Sequence, residues 1–218
     1  MTLTIEKNLQ VPMRDGIVLA TDVYRPSAEG RYPSVLMRLP YNKEQPVLLF
    51  LAGDPLRIAQ AGYAVVVQDC RGTYQSDGSF DPYFQEADDG VDAISWAAAH
   101  PWSTGVVGMM GASYYGATQW LAAIKNPPAL KAIAPFITTD QYYEKWTYQG
   151  GAFQLGFILQ WATGNFGVGE VVRRLRLGQA TGEDLGAAIA GGDAVAERYW
   201  QLRVPFSPWD RQLRVPSI

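Results

Sequence analysis

The stretch Val106-Val-Gly-Met-Met-Gly111-Ala-Ser113-Tyr-Tyr-Gly116, continued by Ala117-Thr-Gln-Trp-Leu-Ala-Ala-Ile124, decides how this chain reads. A short apolar segment runs into a serine flanked by glycines, and an alanine-rich apolar segment follows. That order predicts a strand, a sharp turn with the serine at its apex, and a helix. A serine so placed exposes its hydroxyl at the mouth of a sheet, with a helix N-terminus beneath it. The arrangement is that of a nucleophile elbow. The common spacing is Gly-x-Ser-x-Gly, whereas here Tyr115 occupies the second glycine's place and Gly116 comes one residue later. A serine before a helix also serves as an N-cap. The glycines and the preceding strand favour the nucleophile.

Outward from the elbow, the chain alternates. Residues 9–25 read as a hairpin turning at Asp15-Gly16. Pro33–Arg38 is a short strand, and Pro55–Ala61 a helix ended by Gly62. Tyr63–Asp69 is a β-branched run of the kind found in buried parallel strands. Glu86–His100 is a helix with Asp88, Asp89 and Asp92 near its start, where the helix dipole favours negative charge. Pro101 stops it. Ser113–Lys125 is the next helix, and Leu130–Ala134 one more strand. From Gly62 to Pro135 the order strand, helix, strand, helix, strand predicts a mostly parallel sheet with helices on its faces and the antiparallel hairpin at one edge. Beyond that the composition turns aromatic and glycine-rich over 140–165. Helical patterns at Val171–Leu177 and Glu183–Trp200 suggest a small helical cap. The expected division is 1–138 for the core and 139–218 for a partial cap.

The bulk numbers narrow the function. With 48% hydrophobic and 18% charged residues, the chain has the composition of a globule. A net charge of −3 gives no electrostatic case for nucleic acid or an anionic membrane as partner. The single cysteine, Cys70, excludes an internal disulfide and fits a reducing compartment. The first residues show no secretory h-region, and no apolar run approaches the ~20 residues of a membrane helix. A cytoplasmic protein is the expectation. No phosphate loop, metal cluster or cofactor motif is present in the sequence, so no cofactor is invoked.

Five segments together resemble the cocaine-esterase and X-prolyl dipeptidyl-peptidase family of α/β-hydrolases. They are Met13–Pro26 (MRDGIVLATDVYRP), Arg38–Lys43 (RLPYNK), Gly62–Gly72 (GYAVVVQDCRG), Ser76–Gly78 and Gly111–Gly116. The likeness covers about residues 5 to 165 and keeps both order and spacing. It implies the α/β-hydrolase fold and explains the late glycine, which that family shares. It also implies roles. Ser113 is the nucleophile, and the Tyr114 backbone N–H and the Tyr41 hydroxyl are the oxyanion donors. Trp146 and Trp161 line the acyl pocket. The implied substrate is a small ester or short peptide.

The acid–base half of such a site is missing from these 218 residues. A serine hydroxyl needs a base within hydrogen-bond reach, and an acid orienting that base. In this fold both follow the serine in the chain. The only histidine, His100, precedes it, at the end of a helix on the wrong side of the sheet. It reads as a helix C-terminal residue favoured by the dipole. None of Asp184, Asp193 or Asp210 follows a strand of the parallel series. Lys125, Lys131 and Lys145 are fallback bases with nothing to place them. The expectation is therefore the N-terminal portion of a longer hydrolase, inactive alone, with the triad Asp and His beyond Ile218. A sheet edge left bare would promote self-association. The competing reading is a non-catalytic fragment or binding module that keeps the elbow as a relic of its fold. Between substrates, Lys145–Gly169 holds no Asp or Glu to take a peptide's N-terminal amine. That leans towards an ester with an apolar acyl group, with Asp140 and Glu144 as the peptidase alternative.

Overall fold

The computed structural model describes residues 2–27, 29–45, 51–158 and 161. They fall into two compact units, one ending at Thr138 and the other starting at Thr139. The expected helical patterns at 171–177 and 183–200 lie outside the described residues.

The first unit is built on one six-stranded sheet. Its strands are β1 (Leu3–Pro12), β2 (Val18–Pro26), β3 (Tyr32–Leu39), β4 (Ala64–Asp69), β5 (Ser103–Ala112) and β6 (Leu130–Phe136). In space the order is β1-β2-β4-β3-β5-β6. The β1–β2 and β2–β4 pairs are antiparallel, and β4–β3, β3–β5 and β5–β6 are parallel. The hairpin thus sits at one edge, as the sequence predicts. Among the described residues three helices connect the strands: α1 (Pro55–Gln60), α2 (Glu86–Ala99) and α3 (Tyr114–Ala123). The expected elements of the core are all present, with shifted ends. β5 starts at Ser103 because Tyr32 pairs with it across a register shift, three residues before the apolar run at Val106.

Alternation along the strands sorts side chains onto two faces. Val23, Leu36, Val66, Val107, Met109 and Ile133 form the core under α2 and α3. Met37, Leu39, Val65 and Val67 form the core under α1, joined by Ala59 and by Tyr115 from the first turn of α3. Val65, Val66 and Val67 are all fully buried, which is why β4 reads as an unbroken apolar run rather than an alternating one. At its carboxyl end the apolar pattern gives way to Gln68 and Asp69, both fully buried, one on each face. Among the described residues no helix is long and apolar enough to cross a membrane.

The second unit opens with a π-helical turn, Tyr142–Thr147, followed by a two-stranded ribbon of β7 (Tyr148–Gln149) and β8 (Ala152–Phe153). The first described part of the expected cap is therefore a tight turn and ribbon. The pair Gly150-Gly151, both at positive φ, makes the reversal between β7 and β8.

Candidate active site

β5 delivers Ser113 to the carboxyl edge of the sheet, and α3 begins at the next residue. Ser113 adopts φ 57°, ψ −124°. A glycine tolerates such angles freely; for a serine they cost about 1–3 kcal/mol and persist only where neighbours enforce them. The Ser113 N–H donates to Phe136 O at 3.0 Å, and Ser113 O accepts from Gly116 and Ala117 N–H at 2.9 and 3.1 Å. The Ser113 side chain makes no capping hydrogen bond to α3, so the N-cap role does not explain it. Both flanking glycines answer to crowding. A Cβ on Gly111 would lie 2.6 Å from Tyr115 Cβ, and one on Gly116 would lie 2.6 Å from Thr138 Cγ2. The glycine one residue late is thus the place where α3 meets the chain leaving β6.

Gln119, fully buried, ties this strand–helix turn together. Its Nε2 donates to Gly111 O (3.1 Å) and Tyr115 O (3.0 Å), and its Oε1 accepts from Ala134 N–H (2.9 Å). One amide therefore fixes the end of β5, the first turn of α3 and β6.

Tyr114 turns its side chain to the α2 face. Its hydroxyl donates to Glu86 Oε1 (3.0 Å) and accepts from Tyr83 N–H (2.9 Å), with the two tyrosine rings stacked at 4.9 Å. Glu86 Oε2 receives Arg38 Nη1 at 2.7 Å. Arg38, fully buried, also donates from Nε to Gln68 Oε1 (2.8 Å), and Gln68 donates to Thr21 Oγ1 (3.0 Å). Burial alone would lower the Arg38 guanidinium, and the negative charge around it, led by Glu86, outweighs that and holds it above its ordinary value. Asp89 pairs with Arg71 at 2.6 Å, and Arg71 also reaches Asp15. Of the acidic residues expected to complement the α2 dipole, Asp88 and Asp92 stay near the surface and share Arg14. Asp89 is instead buried in an ion pair, as is Glu86.

Tyr41 follows β3 by two residues. Its ring lies 6.4 Å from that of Tyr114, edge-on, and 6.3 Å from that of Tyr115. The structure thus gathers Tyr41, Ser113 and Tyr114 at the same end of the sheet. Beneath them on the α1 face lies a second group of buried charges: Asp22, Lys43 and Asp69, all with fully buried side chains. Burial pushes the Asp69 carboxyl up to about 7, against the pull of the Lys43 N–H and ammonium. Burial likewise raises the Cys70 thiol and the Tyr115 phenol, which keeps both protonated.

His100 stands at the opposite end. It closes α2 just before β5, and β5 is ten residues long, so roughly 30 Å of strand separates it from Ser113. Its ring stacks on Trp102 at 4.5 Å and meets Trp96 edge-on. Burial lowers its pKa, which works against the charge that the helix dipole would favour there. In the second unit, Trp146 and Trp161 meet edge-on at 4.9 Å, with Phe157 and Tyr142 also against Trp146. The two tryptophans singled out in the sequence therefore belong to one aromatic cluster.

Comparison with known proteins agrees with this architecture. The model of the X-Pro dipeptidyl-peptidase (S15) family matches residues 15–210. A cocaine esterase from Rhodococcus sp. (strain MB1 Bresler) is 42% identical over 161 residues, 73% of this chain and 28% of that protein. A putative serine esterase of Mycobacterium bovis is 30% identical over 175 residues, 71% of this chain and 28% of its own length. The chain thus spans under a third of the curated relatives it matches. Among solved structures, a CocE/NonD family hydrolase from Staphylococcus aureus superposes with a TM-score of 0.78 at 28% identity, covering 99% of this chain and 40% of that one. An α-amino acid ester hydrolase gives 0.63 at 29% identity, over 75% of this chain and 30% of that one. With its mixed sheet, edge hairpin and strand–serine–helix turn, the chain has the α/β-hydrolase fold and belongs to the X-Pro dipeptidyl-peptidase (S15) family.

Proposed function

We propose that these residues carry the nucleophile half of an acyl-transfer hydrolase. Ser113 Oγ attacks an ester or amide carbonyl, giving up its proton to a base. The carbonyl oxygen takes the negative charge, held by the Tyr114 N–H and the Tyr41 O–H. Collapse expels the alcohol or amine with a proton and leaves an acyl group on Ser113 for water to remove. The observation that carries this reading is the Ser113 backbone: a serine at φ 57° without a capping bond, held between β5 and α3. His100, packed against Trp102 at the far end of β5, is not placed to be that base.

The substrate is an ester with an apolar acyl group. The cocaine esterase and serine esterase relatives support this, as does the lack of acidic residues over Lys145–Gly169. A peptide substrate would use Asp140 or Glu144 for its amine. In the structure Asp140 is already paired with Lys145 at 2.8 Å, which favours the ester. The proposed domain division is the one expected from sequence, with a hydrolase core to 138 and a cap from 139.

An alkyl fluorophosphonate tests the reading when imidazole is added as a diffusible base. The expected result is stoichiometric labelling of Ser113, accelerated by imidazole and abolished in Ser113→Ala. A folded sample that stays unlabelled at saturating probe and imidazole would leave the non-catalytic module as the better account. That alternative draws its support from the place of His100.

A further inference from the structure

The segment that carries Tyr41 is pinned at both ends. At Leu39, the last residue of β3, the carbonyl accepts the Cys70 N–H at 2.8 Å. At Lys43 the backbone N–H donates to Asp69 Oδ1 at 2.8 Å. Between these points lie Pro40, Tyr41 and Asn42. Asn42, at φ 72°, turns the chain and accepts from Glu44 N–H (3.0 Å) and Gln45 N–H (3.0 Å). Proline and the left-handed asparagine leave this span little freedom of its own.

The Lys43 side chain then runs inward instead of out to water. Its ammonium lies 3.3 Å from Asp22 Oδ1 and 3.9 Å from Asp69 Oδ2, and donates to Asn8 Oδ1. Asn8 is present at that spot because β1 bulges. The β1–β2 register shifts between Glu6 and Leu9, and Asn8 sits in the bulge at φ 55°, with its N–H on Asp22 Oδ1 at 2.8 Å. Lys7, partly exposed, balances Asp22 from the other side. A buried ammonium is costly unless every donor finds an acceptor. Here Asn8 of β1 accepts a hydrogen bond, while Asp22 of β2 and Asp69 of β4 supply negative charge at 3.3 and 3.9 Å. A surface loop needs no such anchor, and an apolar side chain would fill the same space with less desolvation.

We infer that Lys43 is a positioning residue for Tyr41: its buried ammonium, clamped by Asp22, Asp69 and Asn8, fixes the loop that aims the Tyr41 hydroxyl at the developing oxyanion. The inference rests on the proposed role of Tyr41 as an oxyanion donor. A donor misplaced by about 1 Å can lose as much as ~100-fold in rate, so an anchor that costs stability is explicable where aim matters.

The test is a double-mutant cycle read on Ser113 phosphonylation by the alkyl fluorophosphonate with added imidazole. Tyr41→Phe lowers the limiting labelling rate about 100-fold, the usual worth of one such donor. Lys43→Met, which keeps the aliphatic stem, lowers it about 10-fold and leaves the half-saturating probe concentration within about twofold. In the Tyr41→Phe background, Lys43→Met changes the rate less than about twofold, because its effect runs through the missing hydroxyl. Asn8→Gly keeps the bulge conformation and removes one acceptor, so it provides the same comparison should Lys43→Met not fold. Its expected loss is about threefold with Tyr41 present and none without it. Equal losses in both backgrounds would overturn the positioning role and leave Lys43 a structural ion. An unchanged rate in Tyr41→Phe would overturn the oxyanion role of Tyr41 itself, a distinct failure.

Discussion

The two faces of the sheet each bury a charged cluster at the carboxyl ends of β3 and β4, and the clusters are built differently. Under α2 the polar atoms are nearly all satisfied. Arg38 meets Glu86 and Gln68, Gln68 meets Thr21, and Tyr114 meets Glu86 and Tyr83. The exception among the described residues is Arg38 Nη2, which has only the 3.7 Å approach of Asp89. Under α1, Asp69 Oδ2 and the Tyr115 hydroxyl are buried with no hydrogen-bond partner among the described residues. The elbow's two consecutive tyrosines straddle this contrast. A satisfied network holds its geometry, whereas an under-satisfied one stays responsive to protonation. The proposed backbone donor, at Tyr114, belongs to the first network. The proposed hydroxyl donor, at Tyr41, is held by the second.

The contrast breaks most visibly at Glu86. Glu86→Ala leaves Arg38 buried without its main counter-ion and Tyr114 without its acceptor. The expected loss is about 3–5 kcal/mol in urea unfolding, and a loss under about 1 kcal/mol would mean that Arg38 is not held as described.

Asp69 comes next. Its folded pKa, about 7, is raised above the ordinary carboxylate value, so between those values the folded state binds the extra proton. Stability therefore falls as pH rises from about 4 to about 7 and levels off above, with a slope of at most ~1.4 kcal/mol per pH unit. The charges facing it are Asp22 from β2, Lys43 and Glu44 from the loop after β3, and Lys7 through Asp22. Asp69→Asn flattens that fall while retaining an acceptor for the Lys43 N–H. Urea midpoints taken across this range in both proteins give the comparison, and parallel curves would count against it.

The adjacent tyrosines give the smallest and sharpest contrast. Tyr114→Phe removes a bonded hydroxyl and costs about 1–3 kcal/mol. Tyr115→Phe removes an unbonded one and is neutral or stabilising by about 1 kcal/mol. Thermal melts of the pair decide it, and equal losses would erase the difference between the faces.

The frame of the molecule is legible because burial imposes periods on sequence. The Tyr63–Asp69 run, the Asp15-Gly16 turn and the Gly-flanked Ser113 each carry a local signal for the strand, hairpin and strand–helix turn they form. The clusters are not legible, because ionic partners far apart in sequence leave no such period. Arg38 and Glu86 are 48 residues apart, and Lys43 and Asn8 are 35. In the sequence Glu86 and Asp89 therefore look like ordinary first-turn acids of a helix, the place where Asp88 does remain exposed. Lys43 draws notice only as the last letter of a motif. Gln119 has the look of a polar position on an apolar helix, and only the junction of β5, α3 and β6 reveals its three partners. The aromatic stretch after Thr138 points to a cap but not to a π-helical turn, since neither glycine content nor ring count separates π from α geometry.

The strand order has a consequence for how the chain comes together. β4 lies between β2 and β3, although it leaves the ribosome after both. The hairpin and β3 are thus synthesised with a gap between them, and Asp69 sheds its water only when β4 closes that gap. By then the chain has already delivered Asp22 and Lys43. The last carboxylate to be buried arrives at a slot where its cation is waiting.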